Sequence, residues 1–199
     1  MSSTVLRRPA TLADLLPLER LAPLARDAAL IVAGAALTAL AAQVAFTVPW
    51  TPVPYTLQTG AVLLVGTALG TVRGGLSMLL YVLAGAIGLP VFAEGDGGAS
   101  HLIGATGGYL AGFVVAAALV GRLAEAGWDR SFLRAAGLMA IGTLVVYAIG
   151  VPVLMTVAEL PPATAVEVGA LVFVPWDLAK IVGAALVLPL AWRVAGERG

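Results

Sequence analysis

Six long apolar stretches, separated by short segments rich in proline, glycine or arginine, set the pattern of this chain. They run over about 27–46, 56–70, 74–87, 107–123, 133–157 and 171–195. Several approach the ~20 apolar residues that a membrane-spanning helix needs. At 1.5 Å per residue the second and third fall short of a ~30 Å hydrocarbon core, so loops must complete their passage. Composition agrees. The 199 residues are 60% hydrophobic and only 11% charged, where a soluble domain carries roughly 25% charged residues. The expectation is an all-α polytopic membrane protein. A cytoplasmic or interfacial segment, residues 1–26, precedes a single membrane domain of six transmembrane helices, 27–199.

Arginine positions orient the predicted bundle. Arg7, Arg8, Arg20 and Arg26 precede the first stretch, and Arg73 separates the second and third. Arg122, Arg130 and Arg134 flank the fourth-to-fifth connection; Arg193 and Arg198 follow most of the sixth. With six crossings every arginine falls on one side, while 47–55, 88–106 and 158–170 hold neither Lys nor Arg. The positive-inside rule then makes both termini cytoplasmic. Five or seven crossings would scatter the arginines.

The predicted outer loops have more character than the inner ones. Residues 47–55 contain three prolines and should be extended and stiff. Residues 88–108 are rich in glycine and long enough to fold over a pocket, with Phe92, Leu102 and Ile103 as apolar anchors, so a lid is expected. At the N-terminus, Arg7-Arg8 resembles a twin-arginine leader, but Asp14, Pro17, Glu19 and Pro23 stand where its apolar core should be. Leucines from Leu12 to Leu24 suggest instead a short amphipathic piece on the membrane surface, or a disordered tail.

Few polar groups remain in the apolar stretches. The only lysine, Lys180, lies three residues after Asp177, close enough on a helix face to reach it. A charge at the bilayer centre costs roughly 2.5–3.5 kcal/mol, so this pair either packs the bundle or faces a binding cavity. Gln58, Tyr109 and Tyr147 are the other candidates for such a cavity, with Gln58 equally suited to an interhelical hydrogen bond. Tyr55 and Trp176 fit either the cavity or an interfacial belt. Pro175 suits the first turn of a helix, which places Asp177 where the helix dipole favours a carboxylate. Ala35-x-x-x-Ala39, with Gly34, Thr38 and Ala42, is a small-residue face, common by chance in an alanine-rich helix.

Absences narrow the function. No cysteine and one histidine, His101, leave no disulfide and no Cys/His zinc site. Zero net charge gives no reason to expect a nucleic-acid partner. No P-loop is present, so ATP-driven work must come from other subunits. Gly75-Leu-Ser77-Met lacks the second glycine of a nucleophile elbow, and no inverted repeat of the kind seen in secondary carriers is evident. No metal and no cofactor is expected, and the chain does not read as an enzyme.

Five motifs then occur in order: Val53-Pro-Tyr-Thr-Leu-Gln-Thr59, Gly85-Ala-Ile-Gly-Leu-Pro-Val-Phe92, Gly107-Gly-Tyr-Leu-Ala-Gly-Phe113, Gly127-Trp-Asp-Arg130 and Pro175-x-Asp-x-x-Lys180. Together they resemble the BioY family, the biotin-specific substrate-binding (S) components of energy-coupling factor transporters, over about residues 27–195. The resemblance implies a multi-pass protein of a bacterial-type plasma membrane that captures biotin from outside. It implies Asp177 and Lys180 in the biotin pocket, with Gln58 and the Gly107-Gly108-Tyr109 turn lining it. Ala35 and Ala39 match the helix-one motif that contacts the transmembrane coupling (T) subunit. Two ATPase subunits complete the implied transporter, in which the loaded S component topples within the membrane. Residues 94–100 have no firm counterpart in the family pattern. Two other readings are carried alongside: an S component for another vitamin, and a membrane scaffold whose Asp177–Lys180 pair is only structural.

Overall fold

A computed structural model describes residues 10–18 and 20–196, so the expectations placed on Arg7, Arg8, Glu19 and Arg198 lie outside the described residues. Helix α1 spans Pro23–Ala42, starting on a proline whose missing N–H costs nothing in a first helical turn. A hairpin follows, with β1 at Ala45–Val48 and β2 at Thr51–Thr56. Next come α2 (Gln58–Leu69), α3 (Thr71–Ala86), a one-turn α4 (Ser100–Ile103) and α5 (Gly107–Glu125). Helices α6 (Phe132–Val157), α7 (Pro162–Gly169) and α8 (Val174–Gly196) complete the chain. Among the described residues, four stretches are long and apolar enough to cross a bilayer: α1, α5, α6 and the α7–α8 stretch Pro162–Ala195. Helices α2 and α3 are apolar but only 12 and 16 residues long, as their short apolar runs predict. The protein is an all-α polytopic membrane protein with several long apolar helices.

Helix α5 lies at the centre, packed on α2, α3 and α6. Glycine makes the closest approaches possible. A Cβ on Gly66 would stand 2.7 Å from the Ala117 Cα of α5, and one on Gly74 would stand 2.7 Å from the Gly66 Cα. Such contact lets dispersion hold helices together where lipid removes the hydrophobic drive. Two turns require glycine for another reason. Gly70, between α2 and α3, has φ 85°, and Gly127, just beyond α5, has φ 83°, both in the left-handed region that L side chains avoid. After Gly70 the start of α3 is capped from α5: Glu125 accepts from the Thr71 N–H at 2.8 Å and from its hydroxyl at 3.0 Å.

Outside this core, leucine and valine dominate the exposed surface, including Val32, Leu37 and Leu40 of α1, Leu83 of α3 and Leu186 and Leu190 of α8. That surface suits lipid and would be insoluble in water. The small-residue face of α1 turns the other way. Ala35 is buried, Ala39 packs against the core, and Gly34 and Thr38 meet Ser77 and Met78 of α3. In this chain the Ala35–Ala39 motif therefore serves first to seat α1 on its own bundle.

Three expectations for the connecting segments change. The proline-rich 47–55 stretch is extended, but it pairs with 45–48 as an antiparallel hairpin. Pro52 and Pro54 are two residues apart in β2, so both missing N–H groups fall on its unpaired side. The 158–170 connection contains α7, whose start at Pro162 repeats the device used by α1. Ile103 is no anchor: it is 80% exposed, whereas Phe92 is buried and Leu102 packs on the core. The N-terminal piece is neither free nor helical throughout. A single 3-10 turn at Leu12–Leu15 buries Thr11 and Ala13, and the Arg26 guanidinium donates to the Ala13 carbonyl at 3.0 Å.

Candidate functional site

Where α8 begins, the backbone is forced to turn. A 3-10 turn at Leu171–Phe173 leads into α8 at Val174, one residue before Pro175, which stands in the first turn as expected. Asp177 is thereby held in the first turn of α8, beside the helix's unpaired N–H groups. One turn on, the Lys180 Nζ lies 2.6 Å from the Asp177 Oδ1. The two side chains are only 7% and 12% exposed, so the pair is desolvated. The other carboxylate oxygen, Oδ2, accepts a hydrogen bond from the Tyr147 hydroxyl of α6.

Lys180 has a second partner that no side-chain pattern could show. Its ammonium donates to the backbone carbonyl of Thr56 at 3.0 Å, and the Trp176 indole N–H donates to the same oxygen at 3.0 Å. Thr56 ends β2, so the hairpin is fastened to α8 through both lone pairs of one carbonyl. Tyr55 adds a third tie, donating to the Val172 carbonyl at 2.9 Å while its ring stacks on Phe46 at 5.1 Å. Room for the lysine stem comes from α2: a Cβ on Gly60 would lie 3.1 Å from the Lys180 Cδ.

Thr56, Tyr147, Trp176, Asp177 and Lys180 line a cavity of about 460 Å³, a size suited to a small organic ligand, while Tyr55 lies outside its lining. Its inner wall joins Gln58, Tyr109, Tyr147, Asp177 and Lys180 with the apolar Phe113 and Phe173. Of the predicted site residues, five therefore meet at one cavity. Gln58 donates from its amide to the buried Tyr81 hydroxyl, which leaves its amide oxygen without a donor among the described residues. Tyr109 presents its ring, since its hydroxyl is spent on the Gly169 carbonyl at 2.7 Å. Gly107 and Gly108 do not line the cavity. Gly107 fits under the Leu102 carbonyl, and a Cβ on Gly108 would stand 2.8 Å from the Ile149 carbonyl of α6. Their absent side chains let α5 start this close to its neighbours and so aim Tyr109.

The 88–106 connection supplies the outer wall. Exposed Glu94, Asp96 and Ser100 line the opening together with His101 and Thr106. Phe92 roots this wall: it packs edge-on against Tyr81 at 5.6 Å, and Gly85 leaves the space its ring occupies. His101, without an evident partner in the sequence, stands edge-on to Phe92 at 5.4 Å, and its Nε2 lies 3.8 Å from the Asp96 Oδ2. The signal that would have found it is the Asp-x-x-x-x-His spacing inside a loop of glycines. Among the described residues no group of three or more His, Cys, Asp or Glu side chains could hold a metal ion.

Arranged this way, the cavity can bind but has no evident means of catalysis. It offers a carboxylate acceptor, an ammonium donor and an amide oxygen on one side, and an aromatic wall on the other. The BioY family model matches residues 10–197 of the chain. A biotin transporter of Thermotoga maritima is 42% identical over 170 residues, spanning 85% of this chain and 94% of that protein. A biotin transporter of Rhizobium etli is 39% identical over 145 residues, 68% of this chain and 76% of that one. In fold, the chain is similar to the crystal structure of a biotin S component from an ECF-type ABC transporter. The TM-score is 0.77 at 24% sequence identity, covering 85% of this chain and 92% of that one.

Proposed function

The chain belongs to the BioY family, and from that membership we propose that it is the biotin-capturing S component of an ECF-type transporter. Its cavity is the observation that carries the reading. Biotin has a ureido ring with two N–H donors and one carbonyl, an apolar thioether ring and a carboxylate tail. Asp177 supplies the acceptor for ureido N–H groups, Lys180 a donor for the ureido oxygen, Gln58 a second acceptor, and the rings of Tyr109 and Phe113 an apolar flank. Tyr147 holds the Asp177 carboxylate in position.

Charge decides which end of biotin enters first. Asp177 and Lys180 already neutralise one another at 2.6 Å. A neutral ureido group leaves the desolvated floor neutral, whereas a carboxylate would leave a buried net charge of one, which is strongly disfavoured. The ureido ring therefore goes to the floor and the valerate tail to the opening. Each charge-assisted hydrogen bond made there contributes about 1.5–3 kcal/mol.

The membrane arrangement that fits this role has six crossings, α1, α2, α3, α5, α6 and α8, with residues 1–26 and both termini on the cytoplasmic side. The support is the arginine distribution: none lies in 47–55, 88–106 or 158–170, and the first two of these segments line the cavity. The opening then faces external biotin. With no P-loop in the chain, the energy for release comes from a T component and ATPase subunits. Ala35 and Ala39 match the helix-one motif for the T contact, and because they are turned inward that contact requires α1 to shift. The part of α1 open to a partner without such a shift carries Val32, Ala36, Leu37 and Leu40.

Purified protein tests the reading directly. It is expected to retain biotin through detergent exchange and to gain thermal stability on adding biotin, by the linkage that any native-state ligand gives. Stabilisation by a different vitamin with none from biotin would assign another ligand to the same architecture.

A further inference from the structure

With the ureido ring at the floor, the carboxylate of free biotin ends near the opening, and an anion there needs a donor. The charged groups in the cavity wall are Glu94, Asp96, His101, Asp177 and Lys180. Two N–H groups of the Lys180 ammonium go to Asp177 and to the Thr56 carbonyl, and the third is the donor assigned to the ureido oxygen at the floor. Glu94 and Asp96 repel a carboxylate. No arginine lines the cavity. Among the described residues His101 is thus the one side chain of the outer wall that can carry positive charge. Its setting is built. The ring is fixed edge-on against Phe92, and its Nε2 stands 3.8 Å from the Asp96 Oδ2. On the other side the Thr106 hydroxyl donates to the His101 carbonyl at 3.5 Å, holding the backbone of α4 to the start of α5.

We infer that His101 is the specificity residue that receives the ligand's carboxylate at the cavity opening, so that the site prefers the free acid over its amide. The inference rests on the biotin reading and on the ureido-first orientation. With the ligand in place the imidazolium lies between two anions, the valerate carboxylate and Asp96, with Glu94 nearby on the same loop. Asp177 and Lys180 are the other charged groups of the cavity and cancel each other.

The experiment measures dissociation constants of the full-length protein in detergent for biotin and for biotin primary amide. It compares wild type, His101→Gln and His101→Lys. Wild type is expected to bind the acid more tightly than the amide. His101→Gln should weaken biotin about tenfold and leave the amide unchanged, consistent with the loss of one partly exposed charge-assisted bond. His101→Lys, which keeps a donor at the same place, should keep the preference. Equal weakening of both ligands in His101→Gln would make the histidine only a prop for Phe92, and unchanged or tighter biotin binding would equally overturn the inference. If wild type binds neither ligand, the biotin reading itself falls, and this inference with it.

Discussion

Two clusters of charge stand at opposite ends of α2, and they share almost nothing but their residue types. Near its start, Asp177 and Lys180 are nearly inaccessible at 7% and 12% side-chain exposure, and every partner is fixed. Beyond its end, Arg73 reaches Asp27 at 2.8 Å and Asp14 at 3.2 Å, with Arg26 at 3.8 Å from Asp14. There the side chains are 22–45% exposed. Exposed pairs contribute roughly 0–1 kcal/mol each, so this second network is a modest clasp for the N-terminal turn. A desolvated pair can cost more than its attraction returns. Stability is thus a weak reason for such a pair in an apolar helix, and the proposed function supplies another. In the proposed function the buried cluster binds ligand besides tying the hairpin to α8, whereas the exposed cluster fastens the N-terminal turn.

Substitutions can break that contrast, beginning with the largest effect. Lys180→Ala and Asp177→Asn each remove more than one charge-assisted contact at the floor. Each is expected to weaken biotin by about 100-fold or more, while helix content by circular dichroism stays that of wild type. Binding at wild-type strength in either variant would sink the site assignment. Tyr147→Phe deletes the hydroxyl that holds Asp177 and leaves the ring in place. About tenfold weaker binding with unchanged helix content is the expected result of calorimetry. Gly60→Ala presses on the Lys180 stem, since its Cβ would lie 3.1 Å from a side-chain carbon that can yield. A loss of a few-fold in biotin affinity should appear, milder than either charge substitution.

The smallest effect belongs to the fastening cluster. Burial pushes the Asp14 carboxyl up, but hydrogen bonds from the Thr11 backbone and the Arg73 guanidinium outweigh it and hold Asp14 below its usual range. A depressed carboxylate stabilises the fold above its ordinary value of 3.8, and that stabilisation is lost as pH falls through the lower native value. Asp14→Asn should therefore lower the melting temperature slightly at neutral pH and leave biotin affinity untouched. The gap from wild type should close as pH drops below about 3.8. A gap that persists in acid would assign Asp14 a role independent of its charge.

The same contrast explains what was legible in the sequence. Helices α5, α6 and α8 follow from apolar runs that only a bilayer tolerates, and the shortness of α2 and α3 was plain from their length. Asp177, Lys180, Gln58, Tyr109 and Tyr147 stood out because polar groups are expensive in such runs, and the cavity joins all five. Partners made of backbone were invisible. Nothing in a side-chain pattern says that Lys180 and Trp176 share the Thr56 carbonyl, or that Tyr109 spends its hydroxyl on Gly169. The hairpin escaped because three prolines announce an extended chain but not its pairing, and α7 escaped because its eight residues sit in a stretch too short for a crossing. Gly107 and Gly108 carry a motif whose role here is close packing, which spacing cannot separate from lining a pocket.

The central claim is that Asp177 and Lys180 are retained for binding and not for holding the bundle together. Calorimetric titration of biotin into the double variant Asp177→Leu/Lys180→Leu, with its melting temperature measured in the same detergent, tests it most directly. The account predicts a folded protein at least as stable as unliganded wild type, with no detectable biotin binding. A folded double variant that still binds biotin tightly, or one that loses the fold altogether, would contradict it.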